Sequence, residues 1–232
     1  MTSDAATGAP AHRWSLAARH LYLCTPDRPD LEAFLHACIG GGVDIVQLRD
    51  KSLPDAKLLR RGEVARSVCA QHGVPFIVND RPDLAVALGA DGVHIGQQDT
   101  SPEDTRTMVG PDLLVGLSTH TGRELDAAAG SPVDYLSAGP VVPTPTKPGR
   151  PGTGLSYVRS AVARSPFPVW VTGGVDPSSV DRLAASGARH FVVVRYLTEA
   201  EDPADHAATL RRAIDEALER AARPGPIPVP DL

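Results

Sequence analysis

The side chains in this sequence best suited to chemistry recur where strand-like segments end. In Gln47-Leu48-Arg49-Asp50-Lys51 the pattern changes from apolar to charged within one residue. The preceding run, Asp44 to Leu48, is β-branched-rich and lies between Gly40-Gly41-Gly42 and Pro54, which predicts a strand with Arg49 and Lys51 at its C-terminal edge. Side chains two apart on an extended backbone share a side, so the two cations make either an anion site or a solvated strand end with two surface charges. Polar groups return at Asn79-Asp80, Gln97 to Asp99, Ser118 to His120, Thr144 to Lys147, Gly173-Gly174 and Arg195.

The carboxylates of Asp80 and Asp99 follow adjacent predicted strands and can converge on one hard cation. Mg²⁺ characteristically takes one or two protein carboxylates, with waters and phosphate oxygens completing its shell. The competing role is helix capping, by Asp80 ahead of Pro82 and by Asp99 ahead of Pro102. Arg49, Lys51 and Lys147 supply positive charge, and Asn79 and Ser118 supply neutral hydrogen-bonding groups. Anions that hold a metal beside cations that hold the remaining oxygens suit a pyrophosphate. A second anion site is expected at Gly173-Gly174, where a helix begins at Asp176, although paired glycines also make ordinary strand-end turns. Thr144-Pro145-Thr146-Lys147 lies in a long loop, Pro143 to Gly154, that either closes over the mouth as a lid or remains a surface loop.

A regular alternation of elements must position these groups. Predicted strands cover Leu21–Thr25, Asp44–Leu48, Pro75–Asp80, Gly92–Gln97, Leu113–Thr119, Tyr135–Val142, Pro168–Thr172 and His190–Val194. Between and after them, helices are predicted over Asp30–Ile39, Asp55–His72, Pro82–Leu88, Pro102–Val109, Arg123–Ala129, Leu155–Arg164, from Asp176-Pro177 onward, and Asp202–Ala221. Eight strand–helix units of roughly 25 residues imply parallel pairing through crossover helices. An open doubly wound sheet would gather its functional residues at one switch point. Polar signals after strand after strand instead mark the C-terminal rim of a single (β/α)8 TIM barrel, expected over residues 20–222. Residues 1–19 are then a flexible N-terminal segment and 223–232 a proline-rich C-terminal tail.

The chain has 232 residues, enough for one such barrel, and a formal net charge of -5 that argues against a broad nucleic-acid-binding surface. Three cysteines, Cys24, Cys38 and Cys69, are widely spaced without a C-x-x-C pair, which favours reduced thiols. No signal-peptide core or membrane-length apolar run is evident, so a soluble, cytoplasmic protein acting on small molecules is expected, with homo-oligomerisation left open.

From about Leu21 to Leu197 the chain resembles the thiamine phosphate synthase family. The resemblance rests on residues 41–51 (Gly-Gly-Val-Asp-Ile-Val-Gln-Leu-Arg-Asp-Lys), Asn79-Asp80, residues 89–99 (Gly-Ala-Asp-Gly-Val-His-Ile-Gly-Gln-Gln-Asp), residues 116–120 (Gly-Leu-Ser-Thr-His), residues 143–147 (Pro-Thr-Pro-Thr-Lys) and Gly173-Gly174. It implies that Gln47, Arg49, Lys51, Asn79, Ser118 and Lys147 hold an aminopyrimidine diphosphate, that Arg49, Lys51, Lys147 and Ser118 serve catalysis, and that Asp80 and Asp99 ligate Mg²⁺. Thr144, Thr146, Gly174, Val194 and Arg195 would face a thiazole phosphate, or its carboxylated form. The implied reaction is ionisation of the methylene–diphosphate bond, then capture of the cation by the thiazole nitrogen, giving thiamine phosphate and pyrophosphate. Arg195 departs from the family, which commonly has serine there. It either contacts the phosphate or pairs outward with an acidic neighbour such as Glu199. Other readings are a thiazole tautomerase relative, a phosphate-binding isomerase barrel, and a non-catalytic binder of a phosphorylated thiamine precursor.

Overall fold

The computed structural model describes residues 14–145, 149 and 151–222. The elements run in the order β1 (Leu21–Thr25), α1 (Leu31–Gly40), β2 (Ile45–Leu48), α2 (Asp55–His72), β3 (Phe76–Asn79), α3 (Pro82–Leu88), β4 (Gly92–Ile95) and α4 (Pro102–Val109). They continue with β5 (Leu114–Thr119), α5 (Gly122–Ala128), β6 (Tyr135–Ala138), α6 (Gly154–Arg164), β7 (Val169–Thr172), α7 (Pro177–Ala185), β8 (His190–Val193), α8 (Arg195–Thr198) and α9 (Pro203–Ala222). All neighbouring strands pair in parallel, and β8 returns to β1 to close the barrel.

Period-two alternation sorts the strand residues between two layers. Outward side chains such as Leu23, Val46, Val78, Val93, Leu117, Leu136, Val171 and Phe191 pack under the helices in one continuous core. Inward side chains at the N-terminal end, Tyr22, Ile45, Ile77, Leu114, Tyr135 and Trp170, form a separate apolar floor inside the barrel. The floor leaves the opposite end of the barrel to polar side chains.

Leu16 packs beneath that floor and is buried. Trp14 Nε1 donates to Asp91 Oδ1 at 2.6 Å, and the Arg19 guanidinium lies 4.9 Å from the centre of the Trp14 ring. Residues 14–19, read from sequence as part of a flexible segment, therefore form a plug over the barrel's lower opening. Burial of one leucine there is worth about 1.5–3 kcal/mol. Residues 1–13 and the proline-rich tail, 223–232, lie outside the described residues.

A repeated aspartate fixes the strand starts. Asp44, Asp91 and Asp134 precede β2, β4 and β6, and each carboxylate accepts from a backbone N–H in the first two residues of the preceding odd strand: Leu21 at 3.0 Å, Phe76 at 2.9 Å and Val115 at 2.6 Å. The corresponding position before β8 is Arg189, whose carbonyl accepts from His20 Nδ1 at 2.8 Å.

Two elements differ from the sequence expectation by more than two residues. The β6 strand stops at Ala138 and does not reach Val142, because Gly139 takes φ 145° and Pro140 has no N–H for a ladder. Eight helices were expected and nine are present among the described residues. The extra one, α8, is four residues long, too short to carry a helical period. It puts Arg195 in a first helical turn and not at a strand end.

Candidate active site

A cavity of about 290 Å³ opens at the C-terminal end of the barrel. Its lower wall is neutral: Tyr22, Cys24 and Gln47 from β1 and β2, His94 from β4, Ser118 from β5 and Ser137 from β6. Its rim is charged, with Arg49 and Lys51 beyond β2, Asp80 beyond β3 and Asp99 beyond β4. Polarity thus rises from depth to mouth. A neutral heterocycle suits the lower part and an anionic tail suits the rim.

Gln47 and Ser118 are 4 % and 5 % exposed, so both must be satisfied internally. Gln47 Nε2 donates to the Tyr22 hydroxyl at 2.7 Å, and Cys24 Sγ donates to Gln47 Oε1 at 3.1 Å. Ser118 Oγ lies 2.9 Å from His94 Nε2, and Gln97 Nε2 donates to the Ser118 carbonyl at 2.7 Å. These contacts fix both side chains before any ligand arrives.

Neither carboxylate at the rim caps a helix. Arg81 occupies the N-cap position of α3, and Ser101 caps α4 by accepting from the Asp104 N–H. Asp80 has φ 61°, the only left-handed non-glycine residue among the described residues, in a region that costs about 1–2 kcal/mol for an L-residue. Its N–H donates to the His94 carbonyl at 2.8 Å, and its carboxylate meets Lys51 Nζ at 2.7 Å. Asp99 folds back so that Oδ2 accepts from the Gly96 N–H at 2.7 Å, and a Cβ at Gly96 would come within 2.9 Å of that oxygen. Burial pushes the Asp80 carboxyl above its usual range; Lys51 opposes this, and the hydrogen bond and negative charge of Asp99 reinforce it. Two carboxylates this close, one in a strained backbone, are the kind of oxygen pair that could hold a hard cation. No group of three or more His, Cys, Asp or Glu side chains suited to a metal occurs among the described residues.

A second cavity of about 240 Å³ adjoins the first and shares Thr172, Val192 and Val194 with it. Gly173 and Gly174 make its turn with φ 92° and 77°; a Cβ on Gly173 would come within 2.8 Å of the Val141 nitrogen. Thr144, Arg195, Asp176 and Glu199 also line it. The Asp176 carboxylate caps α7, accepting from the Ser179 N–H at 2.9 Å while Ser179 Oγ accepts from the Asp176 N–H at 3.0 Å. No ion pair joins Arg195 to Glu199 among the described residues.

The sequence-derived groups therefore separate cleanly. Gln47, Arg49, Lys51, Asn79, Asp80, Asp99 and Ser118 line the first cavity; Thr144, Gly174 and Arg195 line the second, and Val194 lies on the shared wall. Thr146 and Lys147 fall outside the described residues, as do positions 148 and 150 of the same loop. In the sequence, His120 and Gln97 stand out only as rim polarity. His120 lines the first cavity, with Nδ1 donating to the Gly139 carbonyl. Tyr22, His94 and Ser137, and Cys24 beyond its thiol, carry no site role in the sequence; period-two alternation within their strands is the available signal.

Comparison with known proteins gives the family and the fold. A family model described as thiamine monophosphate synthase matches residues 21–197. The chain is 46% identical over 199 residues to a thiamine-phosphate synthase of Acidothermus cellulolyticus, covering 84% of this chain and 94% of that protein. It is 47% identical over 208 residues to one of Thermobifida fusca, covering 87% and 95%. The solved structure of thiamine phosphate pyrophosphorylase from Pyrococcus furiosus superposes with a TM-score of 0.78 at 30% identity, covering 86% of this chain and 96% of that one. With its barrel, its paired cavities and these relatives, the chain belongs to the thiamine monophosphate synthase family, a family of transferases.

Proposed function

We propose that this protein is a thiamine phosphate synthase that joins an aminopyrimidine bearing a methylene diphosphate to a phosphorylated thiazole, or its carboxylated form, and releases pyrophosphate. The observation that carries the reading is the pair of adjoining cavities with a common wall at Thr172, Val192 and Val194. One has a neutral interior and a charged rim; the other has a glycine turn and one arginine. The pyrimidine ring occupies the deep part beside Gln47, Asn79 and Ser118, and its diphosphate lies at the rim beside Arg49 and Lys51, with Lys147 assigned the same role from the family resemblance. The thiazole phosphate takes the second cavity, facing Gly174, Thr144 and Arg195, with Thr146 assigned by resemblance. The thiazole nitrogen then approaches the methylene carbon across the common wall.

In this reading Asp80 and Asp99 would hold Mg²⁺, and their donor set fits it. When bound, Mg²⁺ neutralises charge that develops on the departing diphosphate. Arg49 and Lys51 share that task, because the oxygens they face gain charge as the carbon–oxygen bond breaks. Lys51 is paired with Asp80 before substrate binds and can exchange that carboxylate for a phosphate oxygen. No nucleophile or strong base is required. The barrel orients two reactants, and the cations act on the leaving group.

Substrate partition tests the assignment. Arg49→Ala should lower kcat by about 100-fold or more, as expected when a preorganised transition-state contact is lost, with a larger change in KM for the pyrimidine diphosphate than for the thiazole phosphate. Arg195→Ala should raise KM for the thiazole phosphate and leave an unphosphorylated thiazole alcohol unaffected. Equal small effects of both variants on both substrates would overturn the two-cavity assignment.

A further inference from the structure

The barrel contains an unbroken polar chain between its apolar floor and the first cavity. Tyr22 and Tyr135 place their hydroxyls 3.1 Å apart, Tyr135 Oη lies 3.2 Å from His94 Nδ1, and His94 Nε2 lies 2.9 Å from Ser118 Oγ. At its far end Gln47 Nε2 donates to Tyr22 Oη at 2.7 Å, and the Cys24 thiol donates to Gln47 Oε1 at 3.1 Å. Tyr135 is 1 % exposed, His94 is stacked on its ring at a centroid distance of 5.5 Å, and Gly116 leaves room for both.

Each member except the histidine has a restricted proton inventory, so the first donor orders the rest. The Gln47 amide nitrogen can only donate, so Tyr22 oxygen accepts from it, and the order that gives every buried hydroxyl proton an acceptor has Tyr22 donating to Tyr135. Tyr135 then directs its proton to His94 Nδ1. An imidazole that accepts at Nδ1 carries its proton on Nε2 and donates to Ser118 Oγ. Ser137 Oγ adds a longer donation to the same oxygen at 3.4 Å. With its oxygen receiving protons from the protein, Ser118 has one hydrogen left to give, and the cavity is where it can go.

We propose that His94, held by Tyr135, is a positioning residue that makes Ser118 an obligate hydrogen-bond donor toward an acceptor atom of the bound ligand. The inference rests on the reading above only for the identity of that ligand, the aminopyrimidine diphosphate. Gln47, at the other end of the chain, is locked by the same sequence of donors, so the two neutral ligand contacts are set by one network. Tyr135 is absent from the cavity lining; it accepts from Tyr22 and reaches Ser118 through His94.

The test has two arms on the full-length protein. Ring-nitrogen NMR of the ligand-free protein, with His94 assigned by loss of its signals in His94→Gln, should find the proton on Nε2, and Tyr135→Phe should abolish that preference. A proton on Nδ1 would mean that the chain runs in reverse, with Ser118 donating to His94, and would overturn the proposal. In turnover, Tyr135→Phe should lower kcat about five- to ten-fold, the usual worth of one hydrogen bond, with little change in KM for the thiazole phosphate. In a Ser118→Ala background the same change should have no further effect. An equal loss in both backgrounds would make Tyr135 a purely structural residue and would also overturn the proposal. Absence of turnover in the wild type would refute the proposed activity while leaving the tautomer measurement decisive for the network.

Discussion

Replacing Gly116 by alanine tests whether the barrel interior is filled as tightly above its floor as the packing implies. The residue lies on β5 with an ordinary strand backbone, so alanine meets no conformational objection. The objection is steric: an added Cβ would press on the Tyr135 phenol at Cζ and Oη and would sit 2.5 Å from His94 Nδ1. Neither neighbour is the free end of a flexible chain. Tyr135 is 1 % exposed and bonded to Tyr22, and His94 is held between Tyr135 and Ser118. Overpacking by one methyl group costs about 1–3 kcal/mol, and the gain from stiffening the unfolded chain offsets about 0.4–1 kcal/mol. The net loss should be about 1–2 kcal/mol, or a fall in Tm of about 2–8 °C for a chain of this size. Urea denaturation of the wild type and Gly116→Ala supplies the first number and a thermal scan the second. Gly40→Ala is the matched control: nothing lies within 4 Å of its Cβ in the last turn of α1, and it should stabilise by about 0.5–1 kcal/mol. A Gly116→Ala protein as stable as the wild type would refute the packing argument.

The remaining expectations concern the rim and the floor. Asp80→Ala and Asp99→Ala should each leave the fold intact and sharply reduce turnover at limiting Mg²⁺; near wild-type rates in both variants would remove the carboxylates from the proposed mechanism. Asp80→Gly, which removes the carboxylate but relieves the φ of 61°, should be more stable than Asp80→Ala, and urea midpoints of the two variants check this. His190 is pushed below its usual pKa by burial, with His20 and Arg189 adding to the effect and the Arg19 carbonyl, 2.6 Å from Nδ1, opposing it. The unfolded chain therefore binds the proton more readily, and stability should fall as pH drops from about 6.5 toward the folded value, by at most about 1.4 kcal/mol per pH unit. Urea midpoints across that window should vary less in His190→Gln; an unchanged slope would exclude His190 as the source.

Much of this architecture was legible because its signals are local. The bounds of α2, α3 and α4 follow from Pro54-Asp55, Pro82 and Pro102 at the starts and Gly73, Gly89 and Gly110 after the ends, which act on neighbouring backbone alone. The rim residues were legible for the same reason: a strand end is where apolar alternation gives way to charge. What escaped depends on contacts between distant parts of the chain. Trp14 is anchored to Asp91, 77 positions away, and nothing in residues 14–19 alone announces that contact. Tyr22 and Tyr135 read as ordinary strand residues until closure of the barrel joins hydroxyls 113 positions apart. Val141 and Val142 favour a longer β6, a preference that Gly139 and Pro140 override. Asp80 and Asp99 each had a local alternative as a helix cap, and only the actual caps, with Arg81 and Ser101 in those positions, removed it.

The central claim is that two adjoining cavities bring two phosphorylated reactants together at one wall, and turnover with both reactants addresses it most directly. Purified protein supplied with the aminopyrimidine diphosphate, the thiazole phosphate and Mg²⁺ should form thiamine phosphate and pyrophosphate in equal amounts, with neither product when either reactant is withheld and a steep loss of rate when Mg²⁺ is chelated. Binding of both compounds without product, or pyrophosphate release that is indifferent to the thiazole, would contradict the account.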